Sequence, residues 1–317
     1  MGVVTALQNK PRTDISAADL ADTVFLINPL AGNGRGQETW SMLLAHLPEL
    51  GNTRLIKSRN PAEALQKLNE TLTENVRRLV VIGGDGSLHL AANHVLKNGY
   101  TKQVALGLIP AGTGSDYARI LRLSGDPLQA LHQICTAVPR KVDVLRITGG
   151  NGEVRYAINT FSTGVSGWVS RRLAGLAVKG SAVYLRTTLK AFISFEAVDC
   201  RVVVDNTPWF EGPLYLLAIT KGSHFGQGMH ISPRASLDNG LCEVVAVEPM
   251  SRWRLPLRLC RLYLGNHLSA SYVHYRQGRT VVIEPITNNP GFEIDGESTD
   301  AASVTVETVP AALTMLA

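Results

Sequence analysis

The chain has 317 residues, a formal net charge of +5 and 45% hydrophobic residues. This length predicts one large or two ordinary domains, and the composition excludes an intrinsically disordered chain. The small excess of positive charge suits phosphate, nucleotide or an acidic membrane surface, and it is too weak to indicate nucleic-acid binding.

The cysteines and the apolar runs predict the compartment. The four cysteines lie far apart, so we expect reduced thiols rather than disulfides or a metal site. No apolar run approaches the roughly 18 residues that span a bilayer, and residues 1–12 lack the apolar region of a signal peptide. We therefore expect a cytoplasmic protein without a transmembrane segment, which meets the inner face of the membrane only from the water side.

The first part of the chain alternates short apolar runs, glycine-rich loops and helical stripes. The apolar runs predict buried strands at Val24–Ile27, Leu79–Ile82 and Val104–Ile109. Apolar side chains at helical spacing predict helices near residues 40–47, 65–72 and 88–96. This alternation predicts an α/β domain with a mainly parallel sheet over residues 1–139.

From Val142 onward, strand-like runs separated by turn residues dominate. These runs cover residues 142–147, 154–159, 201–204, 214–220, 241–247, 280–284 and 303–307. They predict an all-β second domain over residues 140–307, which we interpret as a β-sandwich. Helical segments near residues 165–195 and 251–265 interrupt it.

A glycine-rich loop follows each predicted strand of the first domain. Carboxyl ends of parallel strands share one edge of the sheet, where ligands bind, and glycine lets a backbone approach phosphate closely. Tight turns alone would explain any one loop, but three loops on one edge favour phosphate binding. The chain has no GxxxxGK[ST] motif and no GxGxxG motif after a strand, which excludes a P-loop enzyme and a Rossmann dehydrogenase.

The loop sequences resemble a known family. Residues Asn28–Gly32, Gly83–Leu88 and Pro110–Ala118 resemble the signature loops of the diacylglycerol kinase catalytic family. Residues Gly226–Pro233, with Ala235, Leu237, Asp238 and Gly240, are similar to its GGGM…P.A…DDG segment, and Ile294–Glu297 to its late D-G-E motif. The resemblance runs from about residue 22 to the end of the chain.

The resemblance implies an ATP-dependent lipid kinase with Mg²⁺, in which ATP lies in a cleft between two domains. It also implies that residues 308–317 return to the first domain, and it leaves a homodimer open. The nucleotide-binding residues that we predict are Asn28, Gly32, Ser58, Gly83, Gly84, Gly86, Ser87, Gly112, Thr113 and Gly114.

The resemblance further implies catalytic carboxylates at Asp85, Asp295 and Glu297. Phosphoryl transfer needs a carboxylate that orients or deprotonates the acceptor hydroxyl, and either Asp85 or Glu297 could be that base. The family's metal-binding Asp-Asp-Gly reads Asp238-Asn239-Gly240 here. Asp238 is therefore a candidate metal ligand, although a plain β-turn explains this triplet equally well.

The chain departs from the family pattern at two positions. Leu90 stands where the family usually has glutamate, and Ser115 stands where it usually has asparagine. These departures keep two alternatives open beside a lipid acceptor at a membrane surface. One is a kinase of a soluble acceptor such as NAD or a sugar phosphate, and the other is a catalytically silent regulator that binds nucleotide or lipid.

Several further residues are candidates for contact with substrate. Arg171, Arg172 and Lys179 could neutralise a triphosphate or could form a solvated helix face. Residues 251–267 place arginines (Arg254, Arg258 and Arg261) and leucines on different faces of a helix, which could rest on anionic lipid or pack on the core. Candidate lipid-pocket residues, which could equally be core residues, are Phe161, Trp168, Tyr184 and Phe192.

Overall fold

The computed structural model describes residues 15–16, 18–174, 181–249, 251, 253, 255–286, 291–299 and 303–317. Lys179 and Arg254 lie outside the described residues. Among the helices that are described, none is both long enough and apolar enough to cross a membrane.

The first domain is a parallel sheet with helices on both faces. The strands pair in the order β2-β1-β3-β4, with bounds β1 (Thr23–Ile27), β2 (Arg54–Lys57), β3 (Arg78–Gly83) and β4 (Ala105–Pro110). The helices are α1 (Arg35–His46), α2 (Pro61–Thr71), α3 (Asp85–Lys97), α4 (Asp116–Ile120) and α5 (Pro127–Thr136).

The core of this domain explains why its strands read as continuous apolar runs. Successive residues of a strand point to opposite faces, and both faces are covered here. In β1, Val24 and Leu26 pack with α2 and α3, whereas Phe25 and Ile27 pack with α1 and α5. Each fully buried side chain of this kind contributes about 1.5–3 kcal/mol relative to an exposed one.

The second part of the chain adds strands to the same sheet and builds another. The first sheet is extended by β5 (Arg140–Gly149), β6 (Val154–Ala157), β8 (Val198–Val204), β9 (Thr207–Leu214), β13 (Thr280–Pro285) and β16 (Val304–Leu316). The second sheet is antiparallel, in the order β12-β11-β10-β7-β14-β15. Its strands are β7 (Thr160–Gly164), β10 (Leu216–Thr220), β11 (Cys242–Val247), β12 (Val273–Gly278), β14 (Phe292–Ile294) and β15 (Glu297–Thr299).

The two sheets enclose the core of the second domain. Residues of β8, β13 and β16 pack there against residues of β7, β10 and β11. The remaining helices are α6 (Val165–Ala174), α7 (Ser181–Ser194) and α8 (Leu255–Tyr263). The predicted class is confirmed: a mainly parallel α/β domain is followed by a sandwich-like antiparallel domain, one layer of which continues the first sheet.

Strand β16 joins the two domains. It pairs with β13 and β5 in antiparallel orientation and then, at Met315 and Leu316, with β4 in parallel. The change occurs at an irregularity between Val309 and Leu313, where Ala311 has a φ of 51°. The last residues of the chain therefore lie in the sheet of the first domain.

Candidate active site

The glycine-rich loops after β1, β3 and β4 touch one another. A Cβ added at Gly112 would collide with the Cα atom of Gly84, and one added at Gly32 would collide with the carbonyl oxygen of Ala111. Arg35 also joins the first loop to the third, because its Nη2 donates to the carbonyl of Gly112 at 2.6 Å and its Nε to that of Gly32 at 3.2 Å. Side chains larger than hydrogen would force these loops apart.

Two helix N-termini open onto this edge of the sheet. Helices α1 and α3 begin after Gly34 and Gly84, and neither glycine supplies a side-chain acceptor to the first turn. In α1 the N–H groups of Gly36 and Gln37 already donate to the carbonyls of Ala31 and Gly34, so α3 is the helix whose first-turn N–H groups and dipole best suit an anion such as phosphate. The loops of Gly32, Gly83–Ser87 and Gly112–Gly114 therefore form a continuous backbone surface suited to a polyphosphate.

Two predicted nucleotide residues use their side chains within the fold. The Asn28 Oδ1 atom accepts a hydrogen bond from the N–H of Leu30 at 3.0 Å. The hydroxyl of Ser58 lies 2.7 Å from the carbonyl of Asn60 and 3.0 Å from Glu63 Oε2, at the start of α2. Thr113, in contrast, is exposed at the tip of the third loop.

Asp85 connects the second loop to the third. Its two carboxylate oxygens accept the N–H groups of Asp116 and Tyr117, each at 3.0 Å, at the start of α4. Ser115, the N-cap residue of α4, makes no side-chain cap of its own. Burial raises the pKa of Asp85, and its two backbone hydrogen bonds oppose that rise.

Asp295 is a buried acceptor of four hydrogen bonds. Its carboxylate takes the backbone N–H groups of Ile158, Asn159 and Thr160 at 2.8–3.1 Å. The fourth contact, at 2.8 Å, is to Nδ1 of His89 in α3. Its side chain is only 3% exposed, and these four hydrogen bonds tie the D-G-E turn to residues 158–160 and to α3.

His89 lies between two carboxylates. Its Nδ1 contacts Asp295, and its Nε2 lies 3.9 Å from Oε2 of Glu297. Burial lowers the pKa of His89, but the Asp295 hydrogen bond and the charges of both carboxylates outweigh burial, so the pKa is raised overall. The His89 imidazole therefore links the first domain to the D-G-E turn, where the Glu297 side chain is 56% exposed.

The hairpin of the GQGM segment also reaches the first domain. The N–H of Gln227 donates to Asp116 Oδ2 at 2.8 Å, and the same Asp116 is paired with Arg119 of α4. Burial raises the pKa of Asp116. The structure thus joins Asp85 to the start of α4, and it links Asp295 and Glu297 to α3 through His89.

Asp238 lies in a different environment. Its Oδ2 accepts Nε and Nη2 of Arg140 at 3.1 and 2.8 Å, and its Oδ1 accepts the hydroxyl of Ser236 at 2.8 Å. These bonds, first that to Ser236 and then that to Arg140, lower the pKa of Asp238. Among the residues that the structure describes, no group of three or more His, Cys, Asp or Glu side chains could hold a metal ion. The turn at Asp238 does not fit a divalent-cation site.

The second domain contains an apolar cavity of about 90 Å³ that opens to solvent. Most of its lining comes from α6, α8 and the second sheet, including Val169, Leu216, Phe225, Val247, Leu259 and Leu262. Four lining atoms are buried and have no hydrogen-bond partner within the described structure: Thr188 Oγ1, Arg258 Nη1, His267 Nδ1 and Tyr272 Oη. Buried polar atoms without partners are costly, so a ligand of this cavity would combine apolar groups with polar ones.

Phe161 and Trp168, two of the aromatic residues predicted for a lipid pocket, do not line this cavity. Phe161 stacks on Phe292 in the core, with 5.5 Å between ring centroids. Trp168 packs partly buried against that core, with the Arg172 guanidinium 3.9 Å above its ring centroid. The side chains of Tyr184 and Phe192 lie outside the described residues.

Helix α8 forms one wall of the cavity and also a surface. Arg258, Leu259 and Leu262 face the cavity, so Arg258 lies inward rather than on an outer basic face. On the outside, Trp253 is 94% exposed and Leu257 70% exposed. Apolar side chains therefore lie both on the side of α8 that faces the cavity and on the side that faces solvent. The helix does not pack wholly on the core, and its arginines do not all face water.

Comparison with known proteins first defines the structural class. The crystal structure of a diacylglycerol kinase from Bacillus anthracis str. Sterne matches with a TM-score of 0.68, over 93% of this chain and 96% of that chain, at 18% sequence identity. The two proteins therefore share one fold, in which an α/β domain precedes a mainly antiparallel β domain.

Sequence profiles then identify the family. The diacylglycerol kinase catalytic domain matches residues 22–147, and the YegS C-terminal NAD kinase beta sandwich-like domain matches residues 159–317. The chain therefore belongs to the diacylglycerol kinase catalytic-domain family of lipid kinases, which confirms the resemblance in its motifs.

Individual relatives cover most of the chain. A protein named "Probable lipid kinase YegS-like" from Xanthomonas euvesicatoria pv. vesicatoria is 28% identical over 259 residues, which are 80% of this chain and 82% of the relative. A protein named "Diacylglycerol kinase" from Mycobacterium tuberculosis is 25% identical over 303 residues, which are 94% of this chain and 96% of the relative.

Three residues of the site were missed by sequence reasoning. His89 lies within the apolar stripe of α3, and the sequence does not indicate its partner Asp295, which is 206 residues away. Glu293 and Arg258 line the cavity. Glu293 lies in a strand of three residues, which is too short to show a pattern, and Arg258 belongs to the predicted cluster of arginines at residues 251–267. The only signal for these residues in the sequence is that each is a titratable residue within an otherwise apolar pattern.

Glu293 predicts a specific dependence of stability on pH. Burial raises the pKa of Glu293 from its ordinary value of 4.5 to about 7, so the folded protein retains a proton that the unfolded chain has released. Stability is therefore lost as the pH rises from about 4.5 to 7. We expect Glu293→Gln to gain roughly 1–3 kcal/mol over the wild type between pH 5 and pH 8, in urea unfolding.

The exposed Glu284→Gln variant is the control for this measurement, since its side chain is 51% exposed. An unchanged stability difference between the wild type and Glu293→Gln at the two pH values would show that Glu293 is already ionised in the fold.

Proposed function

We propose that this protein transfers the γ-phosphoryl group of ATP to the hydroxyl of a lipid. The observation that carries the proposal is the apolar cavity in the second domain, because a lipid kinase must hold an acyl or alkyl chain out of water. The glycine-rich loops and the N-terminus of α3 support a polyphosphate at the sheet edge. A cavity with this lining favours a lipid over a sugar phosphate or a dinucleotide as acceptor.

The nucleotide lies, in this proposal, on the backbone of the three loops. The triphosphate meets the start of α3 at Gly84–Ser87 and the loop at Gly112–Gly114. Magnesium that arrives with ATP requires only one or two protein carboxylates, because phosphate oxygens and water complete its coordination. Asp85 would hold it, since each of its oxygens keeps a free lone pair beside its backbone hydrogen bond. Magnesium supplies neutralisation of the charge that develops on the phosphoryl oxygens.

Glu297 is the proposed base. It is the exposed carboxylate of the site, whereas Asp295 is buried under four donors and Asp85 holds α4. The acceptor oxygen forms a bond to the γ-phosphorus, the bond from phosphorus to the ADP oxygen breaks, and the hydroxyl proton passes to Glu297. Asp295 and His89 position Glu297, because they fix the turn that carries it.

The outer surface of α8 suits a membrane. Leu257 and Tyr263 of α8, and Trp253 and Leu264 beside its two ends, are exposed by 54–94%, and α8 also lines the cavity. Aromatic and leucine side chains on one exposed surface are typical of helices that lie at a lipid interface. A lipid could then move from the bilayer into the cavity past α8.

Narrowing the cavity tests this proposal. We expect Val247→Phe to raise the KM for the lipid acceptor about tenfold or more, because each excluded methylene loses about 0.8 kcal/mol of burial. The KM for ATP is expected to stay unchanged, because the glycine-rich loops are not part of the cavity. Steady-state kinetics with lipid in mixed micelles measure both values.

The control is Val154→Phe, an equal change of size on the exposed part of β6. An unchanged KM for lipid in a well-folded Val247→Phe protein would remove the cavity as the acceptor site.

A further inference from the structure

A fully buried lysine follows strand β10. The side chain of Lys221 is 0% exposed, and its ammonium contacts three oxygens. They are Asp143 Oδ2 at 2.9 Å, Asn239 Oδ1 at 3.0 Å and the carbonyl of Leu241 at 2.6 Å. An ammonium has three N–H donors, so this set satisfies all of them.

The three oxygens have the chemistry of a cation site. Hard divalent cations in proteins bind mainly to oxygen ligands such as carboxylates, amide oxygens and backbone carbonyls. Two of the three come from the Asp238-Asn239-Gly240 turn and the residue after it, where the family resemblance implies a magnesium ion. Here Asn239 and Leu241 direct their oxygens at Lys221 instead, and Asp238 is held by Arg140.

We propose that the ammonium of Lys221 is the built-in cation of this turn, so that the second domain is held together without a divalent ion. The charge balance supports this assignment, because Asp143 is buried beside Lys221 and also accepts the N–H groups of Gly240 and Ala311 at 2.7 and 2.9 Å. The charge of Lys221 cancels that of Asp143, and the cluster stays neutral because residue 239 is an asparagine and not a second carboxylate.

The Lys221 cluster, formed by Asp143, Lys221, Asn239 and Leu241, joins three parts of the fold. Asp143 belongs to β5, Lys221 follows β10, and Ala311 lies at the irregularity of β16 that leads into the first domain. The backbone N–H of Lys221 also donates to the carbonyl of Asn159 at 2.8 Å, and the N–H of Asn159 donates to Asp295. The cluster therefore supports the segment that holds the D-G-E turn.

Thermal unfolding without nucleotide tests the proposal on the wild-type protein. After treatment with EDTA, we expect addition of Mg²⁺ or Ca²⁺ at millimolar concentration to change the Tm by less than about 1 °C, because no ion binds at the turn. A clear rise in Tm that Asp238→Ala abolishes would overturn the proposal, since it would place a divalent ion beside Asp238.

A charge swap tests whether the oxygens form a cation site. In Lys221→Ala/Asn239→Asp the ammonium is removed and a second carboxylate is added. We expect this variant to lose stability in EDTA and to recover roughly 5 °C or more of Tm with saturating Mg²⁺ or Ca²⁺. Lys221→Ala alone is the matched control, and it is expected to lose stability and to recover far less with either ion.

Equal behaviour of the two variants, with no response to either ion, would show that Lys221 is an ordinary ion-pair partner and not a substitute for a cation. Asn239→Asp alone provides a test that does not depend on the folding of the other variants. It keeps the lysine, so we expect a stable protein whose Tm remains indifferent to Mg²⁺, and a rise with Mg²⁺ would contradict the proposal.

Discussion

Glu297→Gln is expected to lower kcat for phosphoryl transfer by about 10³-fold, within the range that a general base contributes. Glutamine keeps the size of the side chain but cannot accept the proton of the acceptor hydroxyl. The Tm is expected to change little, because the side chain is 56% exposed and its contact with His89 is a long one, at 3.9 Å. The measurement is steady-state kinetics with a lipid acceptor, combined with thermal unfolding.

The matched control is Glu211→Gln, which alters a glutamate of similar exposure, 59%, on β9. Its kcat is expected to equal that of the wild type. A kcat for Glu297→Gln within tenfold of the wild type would rule out Glu297 as the base. Asp85 would then be the remaining candidate, although Asp85→Asn also weakens the cap of α4.

Asp295→Ala is expected to cause the largest loss of stability among these variants, about 3–5 kcal/mol. The change leaves three backbone N–H groups and the His89 ring without their acceptor in a buried site. Activity is expected to fall as well, because the turn that carries Glu297 loses its anchor. Urea unfolding and kinetics at a fixed temperature measure the two effects.

Asp295→Asn separates the role of the charge from that of the hydrogen bonds. Its amide oxygen still accepts N–H groups, so we expect it to recover part of the stability. The pKa of His89 is expected to fall in both variants, since the Asp295 hydrogen bond is a main cause of its rise. Titration of the His89 ring by NMR checks this, and an unchanged His89 pKa would show that the pair is not coupled.

The sequence predicted those parts of the fold that are local. Continuous apolar runs at β1, β3 and β4 are buried on both faces, apart from half-buried residues at the ends of β3 and β4, and each run leads directly into a glycine-rich loop. Strand β9 was missed because it is largely exposed and contains Pro208 and Gly212. Strands β14 and β15 have three residues each, too few for a periodic pattern.

The membership of the sheets could not be predicted from the sequence. Strands of the second half extend the sheet of the first domain through β16, whose partners β4 and β5 are far away in the chain. The sequence predicted Asp85, Asp295 and Glu297 as carboxylates of one site, but it did not predict the groups that donate hydrogen bonds to them. Asp295 is an anchor because three N–H groups at residues 158–160 converge on it, and a sequence pattern does not reveal that convergence.

The two departures from the family pattern have structural counterparts. Leu90 packs against the core of the first domain, so an apolar residue suits its position there. Ser115 has a φ of 48°, and Asp85 caps the helix that follows it. Lys221 gave no signal in the sequence, since a lysine at the end of a strand is usually exposed.

The most direct test of the proposed function is transfer of labelled phosphate from γ-labelled ATP to a panel of lipids in mixed micelles with Mg²⁺. NAD and fructose 6-phosphate serve as soluble acceptors in parallel reactions. We predict a labelled lipid in the wild-type reaction and none with Glu297→Gln. Label in a soluble acceptor alone, or ATP binding without label in any acceptor, would contradict the assignment of this protein as a lipid kinase.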